Sequence, residues 1–230
     1  MTVDLNAGKT IVLTFDDAVS NHASFVGPLL QRHGFGATFY VCEFPPDFAD
    51  NKQQYMTWEQ IRDLDTAGFE IGNHTLTHAG VGKISDEQLE VELEGIHHRC
   101  AAYDIRRPVT FAYPGSSMRE SAWPVLTRNG YPLARAGGGR PFVPGKDPLL
   151  RIPSFPVHGN DPAPFYQAVA QAAPGVIPVL MFHGVPEYTH PWVHTPPERF
   201  AEYMDYLAAS PFDVVALRDL LPVLPAARDA

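Results

Sequence analysis

Short β-rich runs alternate with helix-period segments along the whole chain. This alternation predicts an α/β fold built from parallel βα units. About seven such units in 230 residues favour a (β/α) barrel, near the small end of the barrel range, over an open doubly wound sheet. Composition adds a third indication. Apolar residues make up 45% and charged residues 19%, a balance that can bury one sizeable core without disulfide help, so a single domain over residues 1–230 is expected.

The elements follow in order. Ile11 to Phe15 (IVLTF) is a continuous apolar, β-branched and aromatic run, as in a buried strand. Asn21 to His33 has helical spacing and stops at Gly34. Ala37 to Cys42 gives a second strand. Thr57 with Gln60 forms a capping-box pattern that opens a helix, and Gly68 closes it. Phe69 to Gly72 is the third strand. Ser85 with Gln88 opens a long helix whose apolar positions Leu89, Leu93, Ile96, Cys100 and Tyr103 fall on one face, with His97 and His98 expected toward solvent. Val109 to Ala112 is a strand, and Glu120 to Asn129 a helix ended by Gly130. Weaker strand signals lie near Leu133 and at Leu150 to Ile152, and Phe165 to Ala172 has helical character. Ile177 to Phe182 is a strong strand, Pro197 to Ala209 a helix, and Phe212 to Ala216 a last strand followed by a short helix.

Several function classes are disfavoured. With 26 acidic against 17 basic side chains the chain carries a net charge of −9, unsuited to a phosphate backbone or an anionic membrane. The apolar stretch around Val176 to Phe182 is broken by Pro178 and is too short for a bilayer span. Two cysteines, Cys42 and Cys100, form no disulfide scaffold and read as buried apolar side chains. The start MTVDLNAGKT lacks a basic and an apolar export region, so the chain as written is expected in the cytoplasm, or outside it if a leader has been trimmed. The 23 prolines concentrate between Pro132 and Pro197, where stiff surface loops are expected.

In a parallel barrel the chemistry stands at the carboxyl ends of the strands. Asp16 and Asp17 follow the first strand; adjacent carboxylates repel unless a cation or a proton relieves them, although a helix cap would use the same residues. Asn73-His74-Thr75-Leu76-Thr77-His78 follows the third. Two histidines four apart can converge on one cation, and with one carboxylate they make an open three-ligand site. The second Asp is then free as a base. Tyr113-Pro114-Gly115 follows the fourth strand as a tight turn that can aim a backbone N–H at the site, with Tyr113 as an aromatic wall. His183 follows the strong late strand on the same rim.

These motifs resemble the polysaccharide deacetylases, carbohydrate esterase family 4, which share the nodulation-deacetylase homology domain. The resemblance runs from about Lys9 to Leu207. Thr14-Phe15-Asp16-Asp17 matches the family's TFDD motif, Asn73 to His78 its H-[ST]-x-x-x-H motif, and Val179 to His183 its apolar strand ending in His. At the third motif, usually R-x-P-[YF]-G, this chain reads FAYPG, with Ala112 in place of Arg; the Asp-Trp motif has no clear counterpart.

The resemblance implies a distorted (β/α) barrel with Asp17, His74 and His78 as ligands of one divalent metal, commonly Zn2+, with Co2+, Mn2+ or Ni2+ as alternatives. It implies Asp16 as the base toward metal-bound water, His183 as the acid, and a backbone N–H near Tyr113 for the oxyanion. The expected substrate is an N-acetylated carbohydrate. Hydrolysis of O-acetyl groups, hydrolysis of small cyclic amides or ureides, and a non-catalytic carbohydrate-binding role are the alternatives. Trp192 is a candidate wall for a sugar ring, with plain packing as the other reading. Arg151 is a candidate to replace the missing Arg beside Asp16, with Arg135 and Arg140 as rivals and a surface ion pair as the bland alternative.

Overall fold

The computed structural model describes residues 4, 5 and 7–224. Eight parallel strands form one curled sheet: β1 (Lys9–Phe15), β2 (Thr38–Val41), β3 (Glu70–Asn73), β4 (Thr110–Ala112), β5 (Leu133–Arg135), β6 (Phe155–Pro156), β7 (Val179–Phe182) and β8 (Phe212–Val215). The sheet order is β5-β4-β3-β2-β1-β7-β6. Among the described residues a single bridge from Arg135 to Ile152, in the segment leading into β6, joins the two sides, so the expected distorted barrel is a curled, incompletely closed one. The eighth strand has a place outside the ring order. Val12 pairs with both Val179 and Val215, so β7 and β8 lie on opposite edges of β1. β2 takes the carboxyl half of the β8 edge, pairing at Thr14 and Phe15. β8 therefore wedges between β1 and β2 at the amino ends and leaves the carboxyl rim to the seven ring strands.

Local signals explain most of the helices. The helix α1 (Gly27–His33) is preceded by a π-helical turn at His22–Val26 and ends at Gly34 with φ +69°, a conformation that costs a glycine nothing. Both predicted capping boxes form. Thr57 opens α2 (Trp58–Thr66) and Ser85 opens α3 (Asp86–Ala102), each exchanging hydrogen bonds with the Gln three residues on. The remaining helices are α4 (Trp123–Arg128), α5 (Ala163–Val169) and α6 (Pro197–Ala208). Cys42 and Cys100 are buried and free. No helix among the described residues is long and apolar enough to cross a membrane.

Two expectations need correction. Leu150 to Ile152 is not a strand: Leu149–Arg151 makes a 3-10 turn, and only Ile152 pairs with β5. Pro148 and Pro153 bracket the segment and remove the N–H groups a longer ladder would use. His98 faces solvent as expected, but His97 does not; its side chain is 4% exposed. It lies one full turn from Leu93 on the inward face, and Tyr131 satisfies its ring nitrogen.

The barrel core sets a tight limit at one glycine. Gly72 of β3 stands opposite Tyr40 of β2, and a Cβ there would meet the Tyr40 ring at 2.4 Å. The ring has no room to retreat, because it is fully buried with the Arg135 guanidinium 5.2 Å from its centre. Gly72→Ala is expected to lower stability by about 1–3 kcal/mol through overpacking, as read from the midpoint of a urea unfolding curve.

Candidate active site

The carboxyl ends of β1, β3, β4, β5 and β7 deliver the functional groups to one rim. Asp16 still belongs to the ladder, its N–H donating to Phe182 O at 3.0 Å. Successive residues of a strand point to opposite faces, so two aspartates in regular extended backbone would diverge. Asp17 instead takes φ +73°, a left-handed conformation that Asp tolerates better than most residues. Both carboxylates thereby reach one site. Left-handed turns at Thr75 and His78, both with φ 57°, fold the loop after β3 so that His78 returns toward His74.

The three candidate ligands converge. Asp17 Oδ1 lies 3.6 Å from His74 Nε2 and 3.4 Å from His78 Nε2. One ligand atom from each residue falls within 4.8 Å of the other two. His74 Nδ1 donates to Ala112 O at 2.8 Å, which leaves Nε2 as a bare lone pair aimed at the site. Burial holds His74 down at about 4 and, with His74 beside it, His78 at about 3, so both rings are neutral donors at ordinary pH. Asp17 Oδ1 is buried with no hydrogen-bond partner among the described residues. Burial first and the Asp16 charge second push the Asp17 carboxyl well above the usual range. An orphaned carboxylate oxygen beside two bare imidazole nitrogens fits a divalent cation.

Asp16 is held differently. Arg135, at the end of β5, places Nη2 2.7 Å from Oδ1 and 2.5 Å from Oδ2 of Asp16. Both side chains are almost fully buried. Burial acts to raise the Asp16 carboxyl, but the Arg135 guanidinium, with His74 and His183, more than offsets it and holds Asp16 below its ordinary value. Asp16 is therefore an ionised carboxylate with a fixed orientation.

Arg135 thus fills the position for which Arg151 was the leading candidate. Arg151 sits in the 3-10 turn at the surface and pairs with Glu120 at 2.9 Å, both side chains more than half exposed. Arg140 pairs with Asp147 on the outside. The register explains the difference, since Ala112 stands beside Arg135 across the β4–β5 ladder. A guanidinium reaching in from β5 can serve the site that a residue at position 112 does not.

The cavity at this rim has a volume of about 300 Å3 and is lined by Asp16, Asp17, His74, His78, Tyr113 and His183, among others. His183 Nε2 stands 3.9 Å from Asp16 Oδ2 and 4.0 Å from Asp17 Oδ2. Burial lowers its pKa, opposed by the Asp16 charge. Its backbone carbonyl accepts a hydrogen bond from His22 Nε2 at 3.0 Å. Tyr113 is a wall of the cavity, but its N–H donates to Arg135 O at 3.0 Å and its hydroxyl to Leu150 O at 2.9 Å. That N–H is therefore not free for an oxyanion. Pro114, expected at the substrate site, is buried and does not line the cavity; it opens a 3-10 turn whose Gly115, with an N–H that has no partner among the described residues, does line it. Trp192 stands at the cavity mouth 68% exposed, which excludes a core-packing role. Phe44, His190 and Val193 share that side and were not singled out from sequence. They lie on loops, where no periodicity marks them.

A match to the family model for polysaccharide deacetylase covers residues 5–134, more than half of the chain. The chain belongs to the polysaccharide deacetylase family. A peptidoglycan-N-acetylglucosamine deacetylase of Bacillus cereus is 28% identical over 128 residues, 55% of each protein, so the chain spans about half the length of that curated relative. Among solved structures, T48 deacetylase with substrate is 17% identical with a TM-score of 0.65, covering 97% of this chain and 96% of that one. The Xyl-CE4 domain of a multidomain xylanase from the hindgut metagenome of Trinervitermes trinervoides is 19% identical with a TM-score of 0.65, covering 94% and 91%. A carbohydrate esterase family 4 pseudoenzyme from Bacillus anthracis is also 19% identical, with a TM-score of 0.64, covering 94% and 66%. These structural likenesses support the fold.

Two outcomes are expected of the buried charges around this site. Arg135→Ala leaves a buried carboxylate unpaired and is expected to cost about 3–5 kcal/mol in chemical denaturation, whereas Arg151→Ala removes an exposed pair and is expected to cost less than about 1 kcal/mol. The second concerns His22, which is fully buried and held at about 4, chiefly by burial. Its unfolded value is about 6.5, so the unfolded chain binds the extra proton first as pH falls. Stability from this group is complete above about pH 6.5 and declines toward pH 4, by roughly 3 kcal/mol in all. The difference in unfolding free energy between the wild type and His22→Gln should shift in that direction when both are measured across pH 4–7.

Proposed function

We propose that the chain is a metal-dependent hydrolase that removes N-acetyl groups, and with less demand O-acetyl groups, from a carbohydrate. The observation that carries this reading is the division of labour between two adjacent aspartates. Asp17 has a bare oxygen facing two bare imidazole nitrogens, while Asp16 is neutralised and oriented by Arg135. A pseudoenzyme shares the fold, so the fold alone does not carry catalysis; the full set of base, ligands and acid supports it here.

Asp17, His74 and His78 would hold the metal. A divalent cation bound by one carboxylate and two imidazoles, Zn2+ first and Co2+, Mn2+ or Ni2+ as alternatives, supplies Lewis acidity toward the acetyl carbonyl and makes water more acidic. Asp16 accepts the proton of the attacking water. Arg135 keeps it ionised for that purpose and fixes the orientation of the carboxylate. The Gly115 N–H is the backbone donor available to the developing oxyanion, since that of Tyr113 is committed to Arg135. His183 gives its proton to the amine as the C–N bond breaks, leaving acetate and a free amino sugar. Trp192 offers a flat exposed face to a sugar ring at the mouth.

The decisive experiment measures acetate release from N-acetylated chitin oligomers, peptidoglycan fragments and acetyl-xylan side by side, before and after chelation and with metal restored. Activity is expected on at least one N-acetylated substrate, lost with chelator and regained with Zn2+; no release from any of the three overturns the reading. Asp17→Asn and the His74→Ala/His78→Ala double variant are expected to lose stoichiometric metal. Asp16→Asn should retain metal while turnover falls by ~10²–10⁴-fold. His183→Ala should slow amide hydrolysis far more than hydrolysis of an activated phenyl ester, whose leaving group needs no proton. Equal losses on the two substrates would remove His183 from the role of acid.

A further inference from the structure

Behind the loop that carries His74 and His78 lies a buried polar chain that the reaction does not use. Asn73, the last residue of β3, is fully buried. Its two amide protons are both spent: Nδ2 donates to Leu93 O at 3.1 Å and to Tyr131 Oη at 2.6 Å. Tyr131 Oη is therefore an acceptor on that side, and its single proton is available to its other neighbour, His97 Nε2, 2.5 Å away. That nitrogen must then be bare, so the His97 proton sits on Nδ1, which faces Glu94 Oε1 at 3.4 Å. Burial, with Arg107 nearby, holds His97 below its ordinary value and favours this neutral ring. The His97 and Tyr131 rings are nearly parallel, with centroids 5.5 Å apart.

The far end of the chain reaches the candidate ligands. Asn73 Oδ1 accepts from Thr75 N at 2.8 Å, closing a turn around His74. Thr75 begins the left-handed path that brings His78 back. The amide works only one way round, since exchanging its oxygen and nitrogen would turn a donor on the Thr75 N–H and an acceptor on Leu93 O. Tyr131 is the side chain that fixes this orientation from behind, and His97 fixes the proton of Tyr131.

We propose that His97 and Tyr131 are positioning residues for the metal loop, setting its affinity for a divalent cation by locking the Asn73 amide that closes the turn around His74. The inference rests on the reading of Asp17, His74 and His78 as the metal site, but concerns residues that touch neither metal nor substrate.

The test titrates metal-free protein with Zn2+ against a competing chelator and records the visible spectrum of the Co2+ form, with melting of the metal-free protein as the stability control. The variants are Tyr131→Phe, His97→Leu and His97→Gln. Tyr131→Phe and His97→Leu are expected to weaken Zn2+ binding about tenfold, the lower end of the range for outer partners of metal ligands, and to shift the Co2+ bands. His97→Gln, whose Oε1 can accept the Tyr131 proton, is expected to return both readouts close to wild type. Wild-type affinity and spectrum in both Tyr131→Phe and His97→Leu overturn the inference. So do equal losses in His97→Leu and His97→Gln, because that pattern marks lost packing rather than a lost hydrogen bond. If Tyr131→Phe fails to fold, the His97 pair decides alone. Failure of the wild type to bind Zn2+ instead overturns the metal site itself, and with it this inference; binding by the wild type with unaltered variants overturns only the inference.

Discussion

Two carboxylates on adjacent residues, taken out of water at the end of a buried strand, repel each other, and the site is organised around relieving that repulsion. Arg135 answers Asp16 with a buried guanidinium on both carboxylate oxygens. Asp17 has no guanidinium or ammonium ion pair among the described residues, and its Oδ1 lies without a hydrogen bond beside two imidazoles. The same repulsion that would destabilise an isolated pair becomes selective here, because only one of the two carboxylates is neutralised by the protein. Two identical side chains thus take different environments, which is what the proposed roles of base and ligand draw on.

The barrel makes this arrangement affordable. Its strands are all parallel, so their carboxyl ends share one rim, and groups from β1, β3, β5 and β7 meet there although Asp16 and His183 lie far apart in the chain. The wedge of β8 between the amino halves of β1 and β2 fills the opposite end and leaves the rim undisturbed. At that lower end Glu70 shows how the interior treats a carboxylate with no functional task. Thr38 and Thr110 hydroxyls and the Arg218 N–H donate to its two oxygens, so both are satisfied. Asp17 Oδ1, by contrast, is buried with no hydrogen-bond partner among the described residues.

Backbone conformation carries as much of the site as side-chain identity. Asp17, Thr75 and His78 all occupy left-handed space without being glycine. The surrounding structure holds them there: the ladder bond at Asp16 on one side, and the Asn73 amide with its Tyr131 and His97 partners on the other. Strain of this kind persists where packing over-determines the chain.

The sequence by itself determined the parallel α/β class, the two capping boxes, most of the strand positions, and the identity of the groups at the strand ends. These are local matters of periodicity, cap chemistry and motif order, and the family resemblance rests on the same residues. It also exposed a gap at Ala112, where a partner for Asp16 was missing. Which arginine fills that gap was decided only by the tertiary structure, because the answer depends on the register of β4 against β5 and not on distance along the chain. Position in the fold also decided that Leu149–Arg151 turns where strand was expected, since two prolines deny it a ladder. It decided that His97 points inward to Tyr131, since a polar residue on an apolar helix face is tolerable only where a partner waits across the interface. And it decided which backbone N–H remains free at the cavity, because whether a donor is spent depends on a neighbouring strand that no single segment can reveal.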